Sequence, residues 1–302
     1  MKKLAKVLRK PEMTILPSNF AFNIILAIIP LLTIIVLIAS YFDISIDLVS
    51  KMVSDVMPKQ VSEVIIDVIS GKGFDKSVGI FNFIAFILAS NGTYAIINTS
   101  NTLYQIKERD YLKDRISSII LLFIIIILFV FLLIVPIFGD NIIRLMASAK
   151  VLANFTDDAM IIFNIVKWPL TILIIYLNIK LIYTVAPSKN IHSEETTYGA
   201  LCTTIGWILS TLLFKFYLNH FARYDIIYGN LASIIIMMVW MYFLSYIFVL
   251  GMAINASRRE EREIIEETMR IEKEKIEQAV AKEKKNKKKK AKKQEENHLD
   301  IK

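Results

Sequence analysis

Apolar residues fill six stretches of the chain, near 19–41, 78–98, 116–138, 159–185, 198–221 and 230–254, and charged residues are concentrated between and after them. A helix rises ~1.5 Å per residue, so each stretch is about long enough to cross a hydrocarbon layer roughly 30 Å thick. Runs such as Ile119 to Val135 lack the polar alternation of a barrel strand. Helices are the other structure that satisfies its own backbone in lipid. The pattern therefore predicts an all-α, polytopic membrane protein with six transmembrane helices, the fourth long enough to tilt.

Outside these stretches the period changes. Leu48, Val49, Met52, Val53 and Val56 fall at helical spacing, and after Pro58 the spacing resumes with Val61, Val64, Ile65, Val68 and Ile69. Two short amphipathic helices are expected there, lying on the bilayer surface, folded over the bundle as a lid on an outward-facing cavity, or packed as a cap. Ile142, Ile143, Leu145, Met146, Val151 and Leu152 suggest a third. From Ser257 onward the chain holds 16 basic and 12 acidic residues, ending in a lysine-rich run from Lys284 to Lys293. Ile264, Ile265, Met269, Ile271 and Ile276 are too sparse for a heptad repeat, so a solvated helix fraying into disorder is expected. The domain organisation is a basic N-terminus (1–18), a transmembrane domain (19–256) and a charged tail (257–302).

Hydrophobic residues make up 55% of the chain and its net charge is +8. The first apolar run is longer than a signal-peptide core and has no cleavage pattern, so it is expected to remain. Basic residues are retained on the cytoplasmic side. Lys2, Lys3, Lys6, Arg9 and Lys10, then Lys107, Arg109, Lys113 and Arg115, then Arg258 and Arg259 put both termini on the cytoplasmic side. The lysine-rich run could serve solubility alone or meet anionic lipid of the inner leaflet. Nucleic acid, the other polyanion available, is disfavoured, and no protein partner or oligomeric state follows.

Few charges fall within the stretches: Lys167, Lys180 and Lys215, with His220 at an edge. No carboxylate lies near their centres, which disfavours proton- or sodium-coupled transport. Lys180 and Lys215 can snorkel. Lys167 is deeper, directly before Trp168 and Pro169, where it could receive an anion or sit in an interfacial belt. The amides Asn23, Asn91, Asn98 and Asn101 belong in or beside the first two stretches and should face the interior of the bundle, because a bare amide in lipid costs several kcal/mol, ~2–7. Pro30 and Ser90-Asn91-Gly92 mark expected kinks. The lone Cys202 bounds nothing beyond excluding a disulfide.

Ala21-Phe22, Pro30-Leu31-Leu32 and Asn101-x-x-Tyr104 with Arg109, Tyr111, Lys113 and Arg115 stand in a familiar order. So do Tyr183 with Ala186-Pro187, Tyr198-Gly199-Ala200 with Trp207, Tyr228-Gly229-Asn230-Leu231, Trp240 with Tyr242, and Gly251 with Asn255-Ala256. Over residues 15 to 256 the chain resembles the YihY/BrkB family of bacterial inner-membrane proteins. The resemblance picks out Pro30, Tyr104, Pro187, Gly199, Trp207, Tyr228, Gly229, Trp240, Gly251 and Asn255 as family positions. Ala253 stands where the family commonly has an acid. For function the resemblance implies transport, with lipid-linked molecules as one proposed cargo, or a ribonuclease activity.

Chemistry disfavours the nuclease. His192, His220 and His298 are scattered without metal-ligand spacing, and no phosphate-cradling Gly-x4-Gly-Lys loop occurs, so no enzyme activity, metal or cofactor is expected. The leading expectation is a carrier of an anionic or amphiphilic molecule. Its path would involve Lys167, Asn23, Asn91, Asn98 and Asn101, with inner-face anion contacts at Lys107, Arg109, Lys113 and Arg115. The competing expectation is a membrane scaffold that recruits a partner or anionic lipid through the basic tail.

Overall fold

A computed structural model describes residues 7–9, 11–41, 50–51, 53–54, 57–70, 79–106, 110–128, 156–221, 224 and 228–299, and among these no strand occurs. In chain order the helices are α1 (Glu12–Tyr41), α2 (Lys59–Ser70), α3 (Gly79–Leu103), α4 (111–128), α5 (Thr156–Val185), α6 (Thr197–His220) and, after a 3-10 turn at Gly229–Leu231, α7 (Ala232–Leu299). The all-helical class matches the sequence pattern. Among the described residues two helices, α6 and the Ala232–Gln278 portion of α7, are long and apolar enough to cross a bilayer, and Glu12–Ile28 and Pro169–Val185 are shorter apolar stretches. The third amphipathic stretch at 142–152 and the second half of the third apolar run lie outside the described residues.

The chain forms two compact units, Met1–Ala256 and Ser257–Lys302. In the first, Phe248 of α7 is the meeting point of four helices. Its ring stacks on Phe20 of α1 at 5.1 Å, tilts against Tyr183 of α5 at 4.9 Å and stacks on Trp207 of α6 at 6.0 Å. Aromatic pairs at these separations contribute about 0.5–1.5 kcal/mol each beyond area burial.

α1 and α3 pack through a close crossing at Gly92. A Cβ built there would stand 2.6 Å from the Ala27 Cβ, so only glycine admits this approach. The Ser90-Asn91-Gly92 step, expected as a kink, lies inside an uninterrupted helical run. The small residues there serve helix contact, the usual source of attraction where lipid removes the hydrophobic drive between helices.

α2 is the second of the two amphipathic helices predicted by spacing. Val61 and Ile65, one turn apart, are buried in a cluster with Phe214 and Leu218 of α6 and Ile236, Met237 and Trp240 of α7, while Lys59, Glu63 and Asp67 are exposed. α2 is therefore a cap seated on the bundle. In the second unit, the side chains of 262–278 are all exposed, including Ile264, Ile265, Met269, Ile271 and Ile276, and it builds no core there. Its order comes from local pairs such as Arg259 with Glu263 at 2.9 Å and Arg270 with Glu274 at 3.3 Å, each worth roughly 0.3–0.5 kcal/mol.

Candidate functional site

At one end of the first unit α3 and α5 finish, α4 and α6 begin, and α7 reaches Asn255. Here the bundle is fastened by side-chain hydrogen bonds. α6 starts after Thr196, which makes no side-chain cap of its own helix. The cap comes from α7: Asn255 Oδ1 accepts the Gly199 N–H at 2.7 Å, one of the orphan donors of the first turn, and Asn255 Nδ2 donates to the Thr196 carbonyl at 3.2 Å. Asn255 is fully buried. Gly199 and Gly251 make this possible. A Cβ on Gly199 would run into the Gly251 carbonyl and the Asn255 amide, and one on Gly251 would meet Thr203 Oγ1 and stand 2.6 Å from Tyr183 Oη. Tyr183 in turn donates to the Phe248 carbonyl at 2.7 Å and shares a 2.7 Å bond with Thr203. Trp207 Nε1 donates to the Leu244 carbonyl at 2.9 Å, and Thr184 and Thr196 meet at 3.0 Å.

Beside this junction lies a second one, built on a carboxylate. α3 closes in a Schellman arrangement: Ile106 N–H bonds the Asn101 carbonyl at 2.9 Å and Gln105 N–H the Thr102 carbonyl at 3.2 Å, with Gln105 in the left-handed region at φ 55°. Asp110 then caps α4 through the Leu112 N–H at 3.1 Å. One turn on, Asp114 is buried and points back at α3. Its Oδ1 accepts from Ser188 Oγ at 2.7 Å, and its Oδ2 lies 3.3 Å from Asn101 Nδ2. Asn101 Nδ2 donates to Ser188 Oγ at 2.8 Å while its Oδ1 accepts the Ser188 N–H at 2.8 Å. Ser188 follows Pro187, which ends α5 because the residue before a proline is pushed out of helical geometry. Three helix ends thus converge on one carboxylate at the N-terminus of α4, where the helix dipole favours negative charge.

The residues singled out from sequence fall variously. Asn101 is at the centre of the Asp114 network. Asn91 does not face the interior: it is exposed, and its Oδ1 accepts from Arg115 Nη1 at 2.9 Å. Asn23 is half-buried and donates to Asn19 on its own helix. Asn98 is half-buried, and its carbonyl accepts from Thr102. Lys113 is exposed and Arg115 half-buried. Lys167 falls on α5, with its side chain outside the described residues, as are Lys107 and Arg109. Of the family positions, Pro30, Pro187 and Trp240 are buried, Tyr104 is half-buried at the end of α3, Tyr228 is exposed and Gly229 adopts φ +52°. Ala253, in place of the family's acid, is buried. Sequence reasoning passed over Asp114 and Ser188. The signal for Asp114 was there: an acid between Lys113 and Arg115, one residue away in sequence but a 100° step around a helix. Among the described residues no three His, Cys, Asp or Glu side chains gather as metal ligands.

Apolar helices of spanning length, with large apolar side chains facing outward on α4 and α6, define a helical membrane protein. A family model described as Virulence factor BrkB matches residues 5–277, and the chain belongs to that family. It is similar to the ribonuclease-like protein YfkH of Bacillus subtilis (strain 168), 27% identical over 254 residues that cover 83% of this chain and 91% of that one. It is also similar to two UPF0761 membrane proteins: IL2447 of Idiomarina loihiensis, 30% identical over 36% of this chain and 39% of the relative, and YE0031 of Yersinia enterocolitica, 33% identical over 38% of each. No solved structure matches.

Proposed function

We propose that the chain is a non-enzymatic carrier or facilitator for an anionic or amphiphilic, lipid-like molecule in a bacterial plasma membrane, crossing it six times with both termini in the cytoplasm. One observation carries the reading. Among the described residues, side-chain hydrogen bonds fasten the helices around Asp114 and Asn255, and α2 is seated on Phe214, Leu218 and Trp240 through an apolar cluster. Apolar contacts in lipid exchange for lipid at small cost, while buried hydrogen bonds do not. In this reading the junctions at Asp114 and Asn255 stay closed and the apolar seat of α2 is the part that opens, the asymmetry a carrier needs. The charge bias puts those junctions on the cytoplasmic side.

The test is reconstitution of the full chain in liposomes with labelled anionic lipid and a parallel Lys167→Ala variant. Protein-dependent movement is expected, reduced in the variant. Absence of movement for every anionic lipid tried would overturn the carrier, and unchanged movement in the variant would take Lys167 off the path. Reporter fusions at each loop test the six crossings. The exposed apolar residues Ile264, Ile265, Met269, Ile271 and Ile276 favour the tail scaffold as the second reading. Truncation after Ser257 separates the two: intact movement favours the bundle, and lost function with intact insertion favours the scaffold.

A further inference from the structure

The outward faces of α3 and α4 carry two parallel apolar stripes. On α3 these are Phe83, Ile84, Ile87 and Leu88; on α4 they are Ile116, Ile120, Phe123 and Ile127, all exposed. Phe86 and Phe123 join the stripes at 5.5 Å. The α3 stripe stops at Leu88, and the α4 stripe runs one turn past Ile116 to the exposed Leu112. One turn beyond Leu88 stands Asn91, and just before Ile116 stands Arg115, whose Nη1 donates to Asn91 Oδ1 at 2.9 Å. Next to them Tyr94 and Tyr111 meet edge to face at 6.0 Å. Apolar faces ending in an aromatic pair and an arginine are what the boundary between acyl chains and headgroups selects.

The chemistry of this spot is one-sided. A guanidinium can only donate, so the Asn91 oxygen must face it and the Asn91 NH2 must point elsewhere, whichever way the amide is drawn. The Arg115 guanidinium spends one of its N–H groups on Asn91 and makes no other hydrogen bond or ion pair among the described residues. What the pair presents outward is therefore donors. Among the described carboxylates of the same turns, Asp114 is buried against Ser188 and Asn101, and Asp110 accepts the Leu112 N–H. Lys113 adds an exposed charge on the same turn.

We infer that Arg115 and Asn91 form a headgroup site for an anionic phospholipid, with the phosphate on the guanidinium and carboxamide N–H groups and the acyl chains along the stripes of α3 and α4. This deepens the carrier reading, by naming the class of molecule and its docking place, and rests on the membrane placement of α3 and α4.

Full-length protein purified from nanodiscs of phosphatidylcholine with a minor fraction of phosphatidylglycerol is analysed for co-retained lipid by native mass spectrometry. Phosphatidylglycerol should be enriched over phosphatidylcholine, and Arg115→Ala should lower its retention about tenfold, the equivalent of one charge-assisted hydrogen-bond set. Arg115→Lys, which keeps the charge and loses the planar fork, should fall between the two. Lys113→Ala should change retention less than about twofold. Equal retention of both lipids by the parent, or undiminished phosphatidylglycerol in both Arg115 variants, would overturn the site. Displacement by millimolar inorganic phosphate would also overturn it, showing a free-anion site. If an Arg115 variant loses its helical content, the Asn91→Leu variant carries the same comparison. Enrichment in protein that moves no lipid would keep this inference and remove the carrier.

Discussion

Replacing Asn255 by leucine tests the junction that holds α5, α6 and α7 together. The two side chains share a branched skeleton of four heavy atoms, so the change removes the hydrogen bonds and adds the bulk of two methyls. It leaves the Gly199 N–H, now bonded at 2.7 Å, buried with no acceptor, which costs about 1–3 kcal/mol. The Thr196 carbonyl keeps the Ala200 N–H at 3.0 Å and loses little. The branched methyls must also fit where Gly199 and Gly251 leave no spare space, an overpacking cost of about 1 kcal/mol or more. The sum is roughly 2–4 kcal/mol, or about 30-fold or more in the folded-to-unfolded ratio. Unfolding in mixed detergent micelles, followed by tryptophan fluorescence with Trp207 beside Phe248 as reporter, measures it. Gly251→Ala attacks the same junction through Tyr183 and Thr203 and should cost about 1–3 kcal/mol. Because both variants part the same helices, the double variant should lose at least about 1 kcal/mol less than the two separate losses together. A change below about 0.5 kcal/mol for Asn255→Leu, or strict additivity with Gly251→Ala, would refute a coupled cap.

Three other perturbations follow from the local geometry. Gln105→Gly relieves a left-handed backbone that glycine adopts freely, and thermal unfolding should show about 0.5–1 kcal/mol of added stability. Gly92→Val should separate α1 from α3 through the Ala27 contact and lower the unfolding midpoint by about 1–3 kcal/mol. Asp114→Ala strips Ser188 and Asn101 of their shared acceptor and should cost about 1–3 kcal/mol. A cysteine-accessibility probe at Ser188→Cys should label faster in the Asp114→Ala background than in its parent.

The helical membrane class was legible because lipid imposes one crude demand, a long apolar run, that survives any detail of packing. The direction of single side chains was not. Lys113, Asp114 and Arg115 read as one charged loop, yet helical phase turns Asp114 into the bundle and leaves Lys113 outside. Asn91 read as an interior amide because a lone amide in lipid is costly; an arginine from the next helix, 24 residues on, supplies the missing partner at the surface. Gly199, Gly251 and Asn255 stood out only through family resemblance. Their common purpose, a cap donated from α7 to α6, depends on a contact across 56 residues that no local pattern encodes.

A rim laced by hydrogen bonds and a cap seated by apolar contacts should answer a change in membrane thickness differently. Thinner or thicker acyl layers strain a helix by fractions of a kcal/mol per ångström of mismatch. The laced rim, with Asn255 and Asp114 inside it, can absorb that load, so the splay appears around Trp240 beneath α2. Chain length of the surrounding lipid thereby becomes a dial on how firmly α2 is seated.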